Sequence, residues 1–204
     1  MANDSPALRE ADIGVAMGER GTAVAREAAA MVLLDDNFAT IVKAVRDGRR
    51  IFDNLRRAFA YLVGFHIPLL VVALVVPFTG RPLLLLPVHL VILEVVLHPA
   101  VSLVFEADPA DPDIMQRPPR RRGEGLLSRS LVRPLALGAT LAGAVLATYL
   151  VADVRRWPIE RARGTAFAIL LIGQLLLLFV ERSPNLPIWR GRPATPTLRW
   201  VTTV

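Results

Sequence analysis

Glu94 is the one acid in a long apolar run, Pro82–Phe105, and His98 follows it by four residues. On a helix that spacing puts the carboxyl and the imidazole on one face. Pro99 comes directly after. It has no N–H to donate and clashes with the turn before it, so carbonyls near Val95–Val96 are expected to be freed. A carboxylate, an imidazole and loosened carbonyls together could hold a cation. His66 precedes Pro68 by two residues in the preceding apolar run and offers a similar opening. A charge at the centre of a membrane helix costs at least about 2.5–3.5 kcal/mol, so an acid there marks an ion pathway. The alternative is a protonated Glu94 that hydrogen-bonds a neighbouring helix. His66 and His98 are open between a ligand role and a packing role. His89, nearer the end of its run, reads as structural.

Two further groups could touch phosphate chemistry. Asn3 and Asp4 could orient a phosphate or a Mg²⁺-bound water, although such a pair by itself is usually a turn. Asp35 and Asp36 form a second acidic pair, and there helix capping is the better reading.

These residues need elements to hold them, and composition limits the choice. The 204 residues are 53% hydrophobic with a positive mean hydropathy. That is too apolar for an ordinary soluble domain of this length. With no cysteine there is neither a disulfide framework nor a thiolate metal site. The net charge is +6 and Lys43 is the only lysine. The arginines flank apolar runs, and aromatics make up 6% of the chain, so a membrane fits better than nucleic acid.

Four apolar runs are long enough for a hydrocarbon core of about 30 Å. They lie at about 58–80, 82–105, 134–152 and 164–180, and predict a four-helix transmembrane bundle. The preceding residues 1–57 read as a soluble piece with the order strand, helix, strand, helix. Ile13–Met17 and Met31–Leu34 are short apolar runs that suit buried parallel strands. Thr22–Ala30 is rich in alanine and prone to helix. Asp36 or Asn37 can cap a helix starting near Phe38. Two strands cannot bury a full sheet core, so this piece is a partial α/β unit. Residues 181–204 form a tail.

Arginine and lysine counts set the expected orientation. One side carries Lys43, Arg46, Arg49, Arg50, Arg56 and Arg57, then Arg117, Arg120, Arg121, Arg122, Arg129 and Arg133, then Arg182, Arg190, Arg192 and Arg199. The other carries Arg81, Arg155, Arg156, Arg161 and Arg163. Both termini are therefore expected to be cytoplasmic in an integral protein of the cell membrane.

The motifs resemble those of the P-type cation-transporting ATPases, in their P2-like branch. Asn3-Asp4-Ser5-Pro6-Ala7-Leu8 resembles the second half of the hinge motif TGDGVNDAPAL, with Ser5 replacing an alanine. Ala11–Gly18 is similar to the next strand of that family. Gly21–Arg57 resembles the end of its phosphorylation domain and the stalk helix leading into the fifth span. Leu85–Pro99 resembles the sixth span. Phe105–Arg120 resembles the loop E-P-x-D-x-D-I-M-x-R-P-P-R that follows it.

The resemblance implies a HAD-like phosphorylation-domain remnant followed by membrane spans five to eight. It implies ATP and Mg²⁺ as cofactors of the parent pump, with none bound by this chain alone. Asn3 and Asp4 would be a remnant of the hinge, and Glu94, His98 and His66 part of the transported-cation site. Glu94 falls where many members place an Asn or an acid, and His98 where they commonly carry Asp. Histidine is a poor ligand for a hard ion and suits a transition metal or a proton relay better. No DKTGT nucleophile motif occurs in the 204 residues. The expected function is the carboxy-terminal fragment of a cation translocase, inactive alone. The expected partners are a lipid bilayer, the cation and a chain carrying the amino-terminal half, with no nucleic acid. A split-pump subunit, a regulator of another pump and a proton or metal channel are the competing readings.

Overall fold

The computed structural model describes residues 5–119, 131–183 and 195–203. They divide into two compact units. The first comprises residues up to Ile51 together with Ala110–Pro118, and the second holds the rest.

The first unit contains helix α1 (Ser5–Glu10), strand β1 (Val15–Met17), helix α2 (Ala23–Ala28) and strand β2 (Met31–Leu33). β1 and β2 are parallel, with Val15, Ala16 and Met17 opposite Met31, Val32 and Leu33. Ala16 and Leu33 are buried. Each strand is shorter than its apolar run, because Ile13 and Leu34 lie exposed at the ends. Thr22 starts α2, its Oγ1 accepting the Ala25 N–H at 3.1 Å.

Helix α3 runs unbroken from Ala39 to Phe78. Its cap separates the three candidates of the sequence. Asn37 Oδ1 accepts the Ala39 N–H at 2.9 Å, and Asp35 Oδ2 accepts the Thr40 hydroxyl at 2.5 Å. Asp36 does not cap α3. Its backbone turns into the left-handed region (φ 50), and its carboxylate accepts the Glu19 and Arg20 N–H groups at 3.0 and 2.9 Å. In the same unit, Arg49 donates to the Ile114 and Arg117 carbonyls at 2.8 Å each. Arg117 in turn binds Asp111 and Asp113 at 2.7 and 2.8 Å.

The second unit is helical. After α3 come α4 (Pro87–Val91), a π-helical turn (Ile92–Leu97), α5 (His98–Glu106), α6 (Val132–Arg155), α7 (Ile159–Arg182) and α8 (Pro196–Thr203). Four helical stretches are long and apolar enough to cross a membrane: Ala39–Phe78, Pro87–Glu106, Val132–Arg155 and Ile159–Arg182. At 1.5 Å per residue, the shortest, of 20 residues, is about 30 Å long. The second of these starts at Pro87 rather than Pro82. Gly80 sits at φ +67, and proline is suited to the first helical turn.

One stripe of α3 is buried: Tyr61, Phe65, Leu69, Val72 and Val76, at helical spacing. Val145 and Tyr149 of α6 and Ala166, Leu170 and Leu178 of α7 belong to the same core. α3 and α6 approach closely through glycine. A Cβ on Gly138 would stand 2.7 Å from the Gly64 carbonyl oxygen. Small residues let membrane helices pack backbone to backbone in this way. Large apolar side chains such as Leu74, Phe78, Val95 and Val154 face outward, as a lipid-facing surface requires.

Candidate cation site

His66 lies on α3, Glu94 in the π-helical turn and His98 at the first position of α5. The fold brings all three together. His66 Nε2 is 3.4 Å from Glu94 Oε1, and His98 Nδ1 is 3.2 Å from Glu94 Oε2. One ligand atom from each residue falls within 4.8 Å of the other two.

The local backbone is distorted where the sequence places Pro99. The distortion is a π turn, in which the His98 N–H bonds the Leu93 carbonyl, five residues back, so the break does not centre on the Val95–Val96 carbonyls expected from a regular helix. Continued by one residue, that register sets the missing Pro99 N–H opposite the carbonyl of Glu94 itself. The extra residue in the turn also re-aims Glu94 relative to a regular helix.

His66 is fixed by its own helix. Its Nδ1 is 2.8 Å from the Leu62 carbonyl oxygen. A carbonyl only accepts, so Nδ1 carries the hydrogen and a neutral ring keeps its lone pair on Nε2, facing Glu94. The Phe65 ring lies 5.1 Å from the His66 ring and 5.3 Å from that of His98, forming an apolar wall beside both. All three site residues are partly exposed. A groove of about 220 Å³ borders His98 and is lined further along by Leu55, Ala58, Tyr61 and Val101.

Some residues behave differently from the set singled out in the sequence. His89 is structural: its Nδ1 accepts the Leu86 N–H at 3.2 Å and its ring stacks on Phe167 at 4.7 Å. Asn3 and Asp4 lie outside the described residues. Gln174, in the middle of α7, was not singled out. It is fully buried, and its Nε2 donates to the Phe65 carbonyl at 3.1 Å, one residue from His66. The signal was present, since Gln174 is the one amide in the run 164–180. Arg182 counted among the loop charges, yet it is buried. Its guanidinium grips the equally buried Asp108 at 2.5 and 3.0 Å. Asn54 steadies the same segment, its Nδ2 donating to the Asp108 carbonyl at 2.9 Å. Arg81 is likewise paired, with Asp153.

Comparison with known proteins adds the family. The family described as "Cation transporting ATPase, C-terminus" matches residues 82–204. The chain is 36% identical over 183 residues to a calcium-transporting ATPase of Bacillus subtilis, covering 89% of this chain and 21% of that one. It is 40% identical over 152 residues to an endoplasmic reticulum-type calcium-transporting ATPase of Arabidopsis thaliana, covering 73% and 14%. It is 46% identical over 133 residues to a sodium/potassium-transporting ATPase subunit alpha-3 of Gallus gallus, covering 64% and 13%. The chain thus spans 13–21% of the length of these relatives. The family match takes in Glu94, His98 and three of the four membrane-length helices. From this match and these likenesses, the chain belongs to the P-type cation-transporting ATPases, as an integral membrane protein that carries part of their carboxy-terminal region.

Proposed function

We propose that this chain is the carboxy-terminal portion of an ATP-driven cation pump. It supplies part of the transmembrane cation site, through Glu94, His98 and His66, and does not hydrolyse ATP alone. The observation that carries the reading is the convergence of these three side chains from two apolar, membrane-length helices. Polar groups at such depth are expensive unless they serve an ion path.

Residues 1–57 are, on this reading, the end of a HAD-like phosphorylation domain and the stalk, with Asn3 and Asp4 at its hinge. α3 is one continuous helix, Ala39–Phe78, and carries His66. ATP and Mg²⁺ act in the complete pump. The phosphorylated aspartate is supplied by a chain or segment bearing the DKTGT motif, which these 204 residues lack. The arginine distribution supports cytoplasmic termini.

The test is reconstitution of the chain in lipid vesicles, alone and together with a DKTGT-bearing amino-terminal half. Alone, no ATP hydrolysis is expected. Together, cation-stimulated hydrolysis is expected, and Glu94→Gln removes the stimulation. Hydrolysis by the chain alone would overturn the assignment. Stimulation unchanged in Glu94→Gln would remove these residues from the cation path.

A further inference from the structure

We propose that the His66–Glu94–His98 site takes a borderline divalent transition-metal ion, of the Zn²⁺ or Co²⁺ kind, and not a hard, oxygen-seeking cation. This rests on the reading of these residues as part of the cation site.

The first argument is a conflict of lone pairs. The Leu62 carbonyl leaves the neutral His66 ring with an acceptor at Nε2. That nitrogen faces an oxygen of Glu94 at 3.4 Å, and an ionised carboxylate only accepts. The other Glu94 oxygen faces His98 Nδ1 at 3.2 Å. His98 Nδ1 donates to that oxygen when it carries the hydrogen and adds a lone pair when Nε2 does, so the conflict lies between His66 Nε2 and Glu94 Oε1, two acceptors that call for a positive centre, a proton or a metal ion, between them. Ligands about 2.0–2.1 Å from a tetrahedral metal stand about 3.4 Å apart; each imidazole already lies at about that distance from a Glu94 oxygen, and the set, which falls within 4.8 Å, closes on an ion by side-chain adjustment.

The second argument is the donor set. Two imidazoles and one carboxylate suit Zn²⁺, Co²⁺ and their neighbours. Ca²⁺ asks for six to eight oxygens, and Mg²⁺ for an octahedron of them. The cluster offers one carboxylate. The third argument is support behind the ligands. A metal-binding histidine characteristically donates its other N–H to a carbonyl or carboxylate, and His66 does so to Leu62. The π-helical turn fixes Glu94 and His98 relative to each other, with the His98 N–H tied to the Leu93 carbonyl. Three protein ligands leave a coordination position for water or exchange, as a site that loads and releases its ion requires.

The test uses the 204-residue chain in lipid nanodiscs and Co²⁺ as the probe. Co²⁺ is expected to give visible absorption bands of a nitrogen-and-oxygen site. Zn²⁺ displaces it, and Ca²⁺ or Mg²⁺ at equal concentration does not. X-ray absorption at the zinc edge of the unsubstituted chain should show imidazole scattering. His66→Gln and His98→Gln should each weaken binding by at least about tenfold. Thr140→Ala, on the exposed side of α6, should not; circular dichroism checks that each variant folds. Absence of Co²⁺ bands, displacement by Ca²⁺ as effective as by Zn²⁺, or binding unchanged in both histidine variants would overturn the proposal. If Co²⁺ fails to bind while cation-stimulated hydrolysis still needs Glu94, the metal class falls and the cation site stands. If Co²⁺ binds and Glu94→Gln leaves that hydrolysis intact, the metal class stands and the transport role falls.

Discussion

Asp108 and Arg182 stand 74 positions apart and close on each other in a buried, two-oxygen ion pair, at 2.5 and 3.0 Å. Neither side chain is more than 2% exposed. Removing one partner leaves a charge stranded away from water, which costs about 3–5 kcal/mol. Asp108→Ala or Arg182→Ala should therefore lower the thermal midpoint of the purified chain strongly. Replacing both with apolar residues of similar size should recover most of the loss. Equal midpoints for the unsubstituted chain and the single variants would contradict this.

The glycines of α6 should differ sharply in tolerance. A Cβ at position 138 meets the Gly64 carbonyl oxygen at 2.7 Å and the Ile67 Cβ at 2.8 Å, whereas a Cβ at Gly143 meets nothing within 4 Å. Gly138→Leu forces α3 and α6 apart and should cost about 1–3 kcal/mol or more. Gly143→Ala should be neutral or slightly stabilising, since alanine is the better helix former. Denaturation of both variants in the same detergent checks the contrast.

Changing His98 to an acid should move the cation preference. His98→Asp exchanges an imidazole for a second carboxylate at the same helical position, and oxygen donors favour hard ions. The variant should bind Co²⁺ more weakly and Ca²⁺ more strongly than the unsubstituted chain. Competition titrations read both directions, and an unchanged ratio would speak against His98 as a ligand.

Acid should loosen the start of α3. The Thr40 hydroxyl bond, followed by the Asn37 N–H, holds the Asp35 carboxyl below its ordinary 3.8. A depressed carboxyl stabilises the fold above its unfolded value, and that contribution is lost as pH falls through the folded one. The helix start should thus hold at pH 5 and above and weaken below about pH 4. Thr40→Val should move the Asp35 titration upward, as carboxyl chemical shifts across pH would report. A curve that does not move would show that the hydroxyl does not set it.

Much of this architecture is written locally. Runs of uncharged residues about 20 long leave few options besides membrane helices, because the bilayer offers backbone groups no water. The pairing of Glu94 with His98 follows from helical spacing, and Pro99 foretells a break in the ladder. Asn37 as a cap and the parallel strands are equally local in origin. What the sequence could not decide is which faces meet. That His66 reaches Glu94 depends on how α3 packs against the π-helical turn, and the packing rests on many weak contacts spread along both helices. The turn's i to i−5 register, which aims Glu94, is a balance between Pro99 and its neighbours. Gln174 and the Asp108–Arg182 pair join residues 109 and 74 positions apart, and no periodicity carries such information. A polar side chain in an apolar run announces that it needs a partner; only the tertiary structure says which one, because the partner is chosen by proximity in space.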